Sequence, residues 1–247
     1  MESTEFRHMH NIHWYKIVFI GIIIAMSTIA DAQVRQKGNY NFWEYQSKPF
    51  YFGLTLGVHS TGFLTSKSRQ FEQSDSINFA RGQDKPGLNV NIITNLKIGQ
   101  FFDFRFIPGF AFSERRIEFL APQGGKSFEK VESVFLEVPL LLRFKSAPYK
   151  DKRLFVIGGL KYSYDVASNS RARQEIAQGL FKISPHDFQF EVGAGIQMFF
   201  PFFIFSPEIK FSQGIGNIHI YNDNKEESRV LDRVLSRALT ISFHFEG

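Results

Sequence analysis

The sequence predicts an all-β protein, an eight-stranded antiparallel up-and-down transmembrane β-barrel of the outer-membrane type. Three observations carry this. From Phe50 onward apolar residues recur with period two, which gives each strand one greasy and one polar face. The connections between these stretches alternate long and short, as external loops and periplasmic turns alternate in outer-membrane barrels. The chain also opens with a segment built for export.

That opening segment has three parts. Arg7 and Lys16 precede the apolar run IVFIGIIIAMSTIA at 17–30, and Ala30-Asp31-Ala32 supplies small residues for cleavage. The run is shorter than the roughly 20 residues a helix needs to span a bilayer, so a cleaved signal peptide is expected over 1–32. A periplasmic N-terminal segment then covers 33–49 and the barrel 50–247. Without residues 1–32 the formal charge rises from +5 to +6, which by itself does not indicate nucleic acid. No cysteine is present, which excludes disulfides, thiolate metal sites and lipid attachment to an N-terminal Cys. Phe occurs 30 times, more than a small core needs.

The strands follow in order. The first, 51–59, sets Phe52, Leu54, Leu56 and Val58 against a face with two glycines. The second, 87–98, sets Leu88, Val90, Ile92 and Leu96 against Asn89, Asn91, Asn95 and Lys97. The third sets Phe102, Phe104, Phe106, Pro108, Phe110 and Phe112 against Asp103, Arg105, Ile107, Gly109, Ala111 and Ser113. The fourth, 131–145, sets Val134, Leu136, Val138, Leu140, Leu142 and Phe144 against Ser133, Glu137, Arg143 and Lys145. The fifth, 154–166, sets Val156, Leu160, Tyr162 and Tyr164 against Lys161, Ser163 and Asp165. The sixth, 187–199, sets Phe188, Phe190, Val192, Ala194, Ile196 and Met198 against Gln189, Glu191 and Gln197. The seventh sets Phe203, Phe205, Pro207, Ile209 and Phe211 against Ser206, Glu208, Lys210 and Ser212. The eighth sets Arg237, Leu239, Ile241, Phe243 and Phe245 against Ser236, Ala238, Thr240, Ser242 and His244. Pro108, Pro139 and Pro207 interrupt the ladder donors, and a bulge is expected at each.

The connections after the even strands are short, at 99–100, 146–153 and 200–202. Those after the odd strands are long and polar, at 60–86, 114–130, 167–186 and 217–235. Both termini then fall on the short-turn side.

A soluble lipocalin-type barrel has the same period with its apolar residues inside. The polar faces decide against it. They carry charges of both signs at mid-strand: Asp103, Arg105, Glu137, Arg143, Lys161, Glu191, Glu208 and Lys210. Inside eight strands such charges can pair as a salt-bridge plug. The strands also match the roughly 9–11 residues that cross a bilayer at a tilt.

Catalytic motifs are weak. GGKS at 124–127 lacks the first P-loop glycine, since Leu120 stands there, and reads as a loop tip. GAG at 193–195 has Met198 where a third glycine belongs, and small residues inside a narrow barrel explain it better. His59, His186, His219 and His244 show no ligand spacing. No catalytic set, metal site, cofactor or small-molecule substrate is expected, and no enzyme activity. An open diffusion pore does not suit this strand number.

Several stretches resemble the PorT family of the Bacteroidetes: SVFLEVPLLLRFKSAPY (133–149), VIGGLKYSYDVASNSRAR (156–173), FSPEIKFSQGIGN (205–217), the terminal FHFEG, and FYFGLTLGVHS (50–60). The resemblance implies an outer-membrane barrel required by type IX secretion, which exports folded cargo and in some bacteria supports gliding. It supplies no catalytic residues. The chain departs from the common aromatic C-terminus, because Glu246 and Gly247 follow Phe245. The expected partners are outer-membrane lipid, lipopolysaccharide and other secretion proteins. Tyr40, Phe42, Trp43 and Tyr45 are candidate periplasmic contacts, with aromatic anchoring at the membrane–water interface as the alternative. Arg171 and Arg173 are candidate contacts at the outer surface. A surface binder or adhesin, and a rim-active outer-membrane enzyme, are the rival functions.

Overall fold

A computed structural model describes residues 41–67, 79–120, 126–167, 183–220 and 231–247. The expected signal peptide, Tyr40, Arg171 and Arg173 lie outside the described residues. The described elements are a short helix α1 (Phe42–Gln46) and the strands β1 (Phe50–Lys67), β2 (Phe79–Gln83), β3 (Lys85–Lys97), β4 (Phe102–Phe106), β5 (Gly109–Leu120), β6 (Lys126–Lys145), β7 (Lys152–Asp165), β8 (His186–Phe199), β9 (Ile204–Gly214) and β10 (Leu231–Glu246).

These ten segments make eight staves. Only Asp84 separates β2 from β3, and only Ile107 and Pro108 separate β4 from β5. Each stave pairs antiparallel with its neighbours in the chain, and β1 pairs with both β3 and β10, so the sheet closes on itself as an up-and-down barrel. Closure leaves no sheet edge along the staves to be satisfied in lipid. Gly247 N still donates to Phe52 O at 2.9 Å, so the seam is joined to the last residue.

The three prolines behave differently from one another. Pro108 breaks the strand assignment, yet its carbonyl accepts from Ile92 N at 2.9 Å and the ladder resumes beyond it. At Pro207 the β8–β9 ladder lapses between Gly195↔Glu208 and Met198↔Phe205. Pro139 needs no irregularity, because the β6–β7 register runs straight through Val138↔Tyr162, Pro139↔Lys161 and Leu140↔Leu160. The register is unshifted on either side of Pro108 and Pro207 as well, so the ladder lapses at those two without the expected bulge, and the bulge is absent at all three.

The apolar rows point outward. On β1 the exposed row is Phe50, Phe52, Leu54, Leu56 and Val58, while Tyr51, Thr55 and His59 are buried. Nine residues from Phe50 to Val58 suit a tilted crossing of a bilayer. The apolar band then stops at a common level, where the outward residues become Ser60, Asp84, Glu114, His186, Gln213 and Arg237. Asp84 and Arg237 pair at 3.0 Å on that boundary. Beside them lies Gly62, where a Cβ would sit 1.9 Å from Asp84 Oδ1, so a larger residue would displace that carboxylate from its present position.

Above the band the strands continue farther than the period of two suggests. β1 is 18 residues long, β6 is 20 and β10 is 16. The described residues of the connection expected at 114–130, namely 114–120 and 126–130, are all strand, and GGKS is not simply a loop tip, because Lys126 and Ser127 open β6. Outside the bilayer neither strand face has to be apolar, so the alternation fades while the backbone ladder persists.

The outward band yields a stability prediction. Leu160, 59% exposed at the middle of β7, faces the bilayer centre. Leu160→Arg is expected to cost about 2–4 kcal/mol of folding into vesicles, and Val166→Arg at the rim about 0–1 kcal/mol, read as shifts in urea unfolding.

Candidate functional site

The polar rows meet in the lumen, and there they form two ionic clusters. On β4 the period of two points Asp103 and Arg105 inward, and on β6 it points Glu137, Leu141, Arg143 and Lys145 inward. The register sets Asp103 opposite Arg143, which makes them cross-strand neighbours.

The cluster nearer the short turns holds Asp103, Arg105, Arg143, Lys145, Glu208 and Glu246, all essentially buried. Asp103 takes both Arg143 and Lys145. Arg105 reaches Glu208 at 3.2 Å and also pairs with Glu246. Arg143 lies 3.7 Å from Glu246 and donates to the Tyr51 hydroxyl. Gln197 Nε2 donates to the same hydroxyl at 3.3 Å. His244 Nε2 lies 3.2 Å from Glu208, and its Nδ1 is 2.7 Å from Thr55 Oγ1. Three cations face three carboxylates.

Both guanidinium groups lie over the ring of Phe155, at 5.3 Å for Arg143 and 5.7 Å for Arg105. That ring fits because Gly195 faces it, where a Cβ would come within 2.4 Å of Phe155 Cζ. The glycine pair of GAG is thus explained by lumen packing. An apolar belt of Ile93, Ile107, Leu141, Phe155 and Ile157 follows along the inward rows.

The second cluster lies beyond that belt. Lys161 pairs with Glu137 at 2.8 Å and Glu191 at 3.1 Å, and Lys210 pairs with Glu191 at 3.0 Å. Ser212 Oγ donates to Glu191 at 2.7 Å. Two cations face two carboxylates. Asp187 accepts from Gln189 at 2.7 Å and from Ser236. Past this cluster, His59 Nε2 and Ser113 Oγ are 2.9 Å apart, and Arg115 stacks on Phe135 at 4.4 Å and Phe63 at 5.3 Å. A cavity of about 20 Å³, room for roughly one water, runs along the inward rows from His244 past Ile107 to His59 and Arg237.

Across the short-turn mouth lies α1. Phe42 and Tyr45 are buried against Tyr51, Phe199 and Ile204. Asn41 Nδ2 donates to Phe199 O at 3.3 Å and Tyr45 OH to Phe200 O at 3.2 Å, while Lys97 Nζ donates to Tyr45 O. Arg153 packs over the Phe42 ring at 6.0 Å. Among the candidate contacts, Phe42 and Tyr45 therefore seat the strap, whereas Trp43 is 41% exposed.

All eight mid-strand charges read from the sequence face the lumen and all take part in ion pairs. Glu246 is the group that sequence reasoning missed as a lumen carboxylate. It continues the inward row of Thr240, Ser242 and His244, so the period of two alone would have found it. Its room comes from Gly53, where a Cβ would lie 3.2 Å from Glu246 Cγ. Glu246→Gln removes one of three carboxylates facing Arg105 and Arg143, and is expected to destabilise the barrel by about 3–5 kcal/mol. Asp84→Asn at the exposed rim pair is expected to cost about 1 kcal/mol or less, compared by urea unfolding in the same vesicles.

No curated protein matches the chain. Among solved structures it is similar to the outer membrane protein OprG from Pseudomonas aeruginosa, with 12% identity and a TM-score of 0.45 over 80% of this chain and 95% of that one. It is also similar to Neisserial surface protein A, with 9% identity and a TM-score of 0.43 over 80% and 97%. A third is Ail, the attachment invasion locus protein of Yersinia pestis, with 11% identity and a TM-score of 0.36 over 81% and 100%. Residues 32–219, well over half of the chain, match the outer membrane protein beta-barrel domain family. With its outward apolar band and paired lumen, the chain belongs to that family and is a multi-pass β-barrel of the bacterial outer membrane.

Proposed function

We propose that the protein is a non-enzymatic accessory of type IX protein secretion, as its resemblance to the PorT family implies, and that a cleaved signal peptide exports it. The barrel acts as a membrane anchor, and its work is done by the surfaces at its two ends. The observation that carries this reading is the lumen. Two clusters of paired charges, an apolar belt and a strap across the mouth leave no passage for cargo. The contacts that resemble catalytic pairs, Thr55 with His244 and Glu208, and His59 with Ser113, lie inside that lumen, packed among the ion pairs of its inward rows. This supports a scaffold over an enzyme.

The surfaces that remain are the long hairpins and the segment at 33–48, of which Trp43 is the exposed aromatic on α1. In this reading Trp43, and also Arg171 and Arg173, which lie outside the described residues, meet secretion partners or lipopolysaccharide. Deleting the gene is expected to trap cargo in the periplasm while the outer membrane stays intact, measured by fractionation and immunoblotting of a cargo protein. Normal export would overturn the secretion role. Complementation with a chain lacking residues 38–45 separates the ends: lost export with a folded barrel assigns the contact to the strap, and full rescue assigns it to the long-loop end.

A further inference from the structure

The short-turn end carries positive charge that the lumen does not use. Lys150, on the connection between β6 and β7, and Lys152, the first residue of β7, stand exposed, and neither is joined to a carboxylate among the described residues. The carboxylate of that turn, Asp151, is directed to the strap and accepts from Phe42 N at 3.4 Å. The other two short turns, at 98–101 and 200–203, hold no ionisable residue. Among the three short turns the charge therefore falls on one, while Lys48, the other exposed lysine at this end, lies over the Tyr45 ring of the strap at 5.1 Å.

Its position relative to lipid is also defined. Lys152 heads the outward row of β7 that continues through Leu154 and Val156, so its stem runs along the lipid-facing surface and its ammonium sits where the apolar band ends. Tyr149 beside it is 66% exposed, and Phe202, on the turn after the paired strand β8, is 91% exposed. Aromatic rings next to lysines at the edge of an apolar band suit the headgroup level of a membrane. The backbone adds a separate observation. Lys150 has φ of 54°, the positive-φ non-glycine residue among those described. Glycine or asparagine adopts that conformation at lower cost, so the backbone gives no reason for a lysine there.

We propose that the β6–β7 turn is a binding site for the phosphate headgroup of an anionic phospholipid in the periplasmic leaflet, held by Lys150 and Lys152 and flanked by Tyr149. A lipid is favoured over an acidic protein because Lys152 belongs to the lipid-facing row. The site is independent of the export role, and either holds without the other.

The test is native mass spectrometry of the full chain extracted after equilibration with equal amounts of phosphatidylglycerol and phosphatidylcholine. The wild type is expected to retain phosphatidylglycerol preferentially, and Lys150→Gln with Lys152→Gln to lower that retention by roughly an order of magnitude. Molar salt is expected to do the same. Lys150→Gly, which relieves the positive φ, is expected to keep heat-modifiable gel mobility while still retaining less lipid, which separates binding from folding. Equal retention of the two lipids by the wild type overturns the site, as does an unchanged preference in the double variant. Binding of an acidic peptide without any preference for phosphatidylglycerol overturns it too, and assigns the turn to a protein.

Discussion

Eight strands enclose a lumen that side chains fill, so a charge placed there must find its counter-charge within a few ångströms or carry an uncompensated desolvation cost of several kcal/mol. This constraint organises the protein. Arg105 and Arg143 cannot be satisfied by neighbours on their own strands alone, and they draw in Glu208 from β9 and Glu246 from β10. The ion pairs thereby tie the first half of the barrel to its last stave. A buried pair contributes little net stability compared with a well-packed apolar contact, but losing one partner is costly. The network therefore specifies the register of closure more than it adds to the total free energy.

The remaining lumen follows from fitting large groups beside small ones. Phe155 fills the space that Gly195 leaves, and Glu246 the space beside Gly53. Toward the far end the Arg115 guanidinium stacks on two Phe rings, Phe63 and Phe135. At the near end α1 has only five residues, too few to be stable alone. It is held by the burial of Phe42 and Tyr45 and by hydrogen bonds from side chains to Phe199 O, Phe200 O and Tyr45 O. The outward rows, in contrast, have nothing to pair with, and their requirement is met by lipid.

Much of this was legible in the sequence because the bilayer enforces the period of two. Within the band, lipid demands one apolar face, and the eight mid-strand charges could be assigned to the lumen from parity alone. Where that demand lapses, so does the signal. The outer parts of β1, β5, β6 and β10 looked like loop because strands in water need not alternate. Glu246 was read as a departure from an aromatic terminus, although its parity with His244 marks it as inward. The strap was legible only as a run of aromatic residues, since five helical residues are too short to show a helical period. Which of its rings turn inward depends on the turns at Asp151 and Phe200, far away in the sequence.

In the proposed reading a barrel filled in this way works by its surfaces and not by its bore, and the electrical behaviour of the lumen tests that most directly. The full chain reconstituted in a planar bilayer in molar potassium chloride is predicted to give no steady conductance steps, because among the described residues two clusters of paired charges, an apolar belt and the strap fill the lumen in succession. Stable ohmic steps from the folded wild-type barrel would contradict the account, since ions would then be passing through a lumen filled by paired charges and apolar side chains.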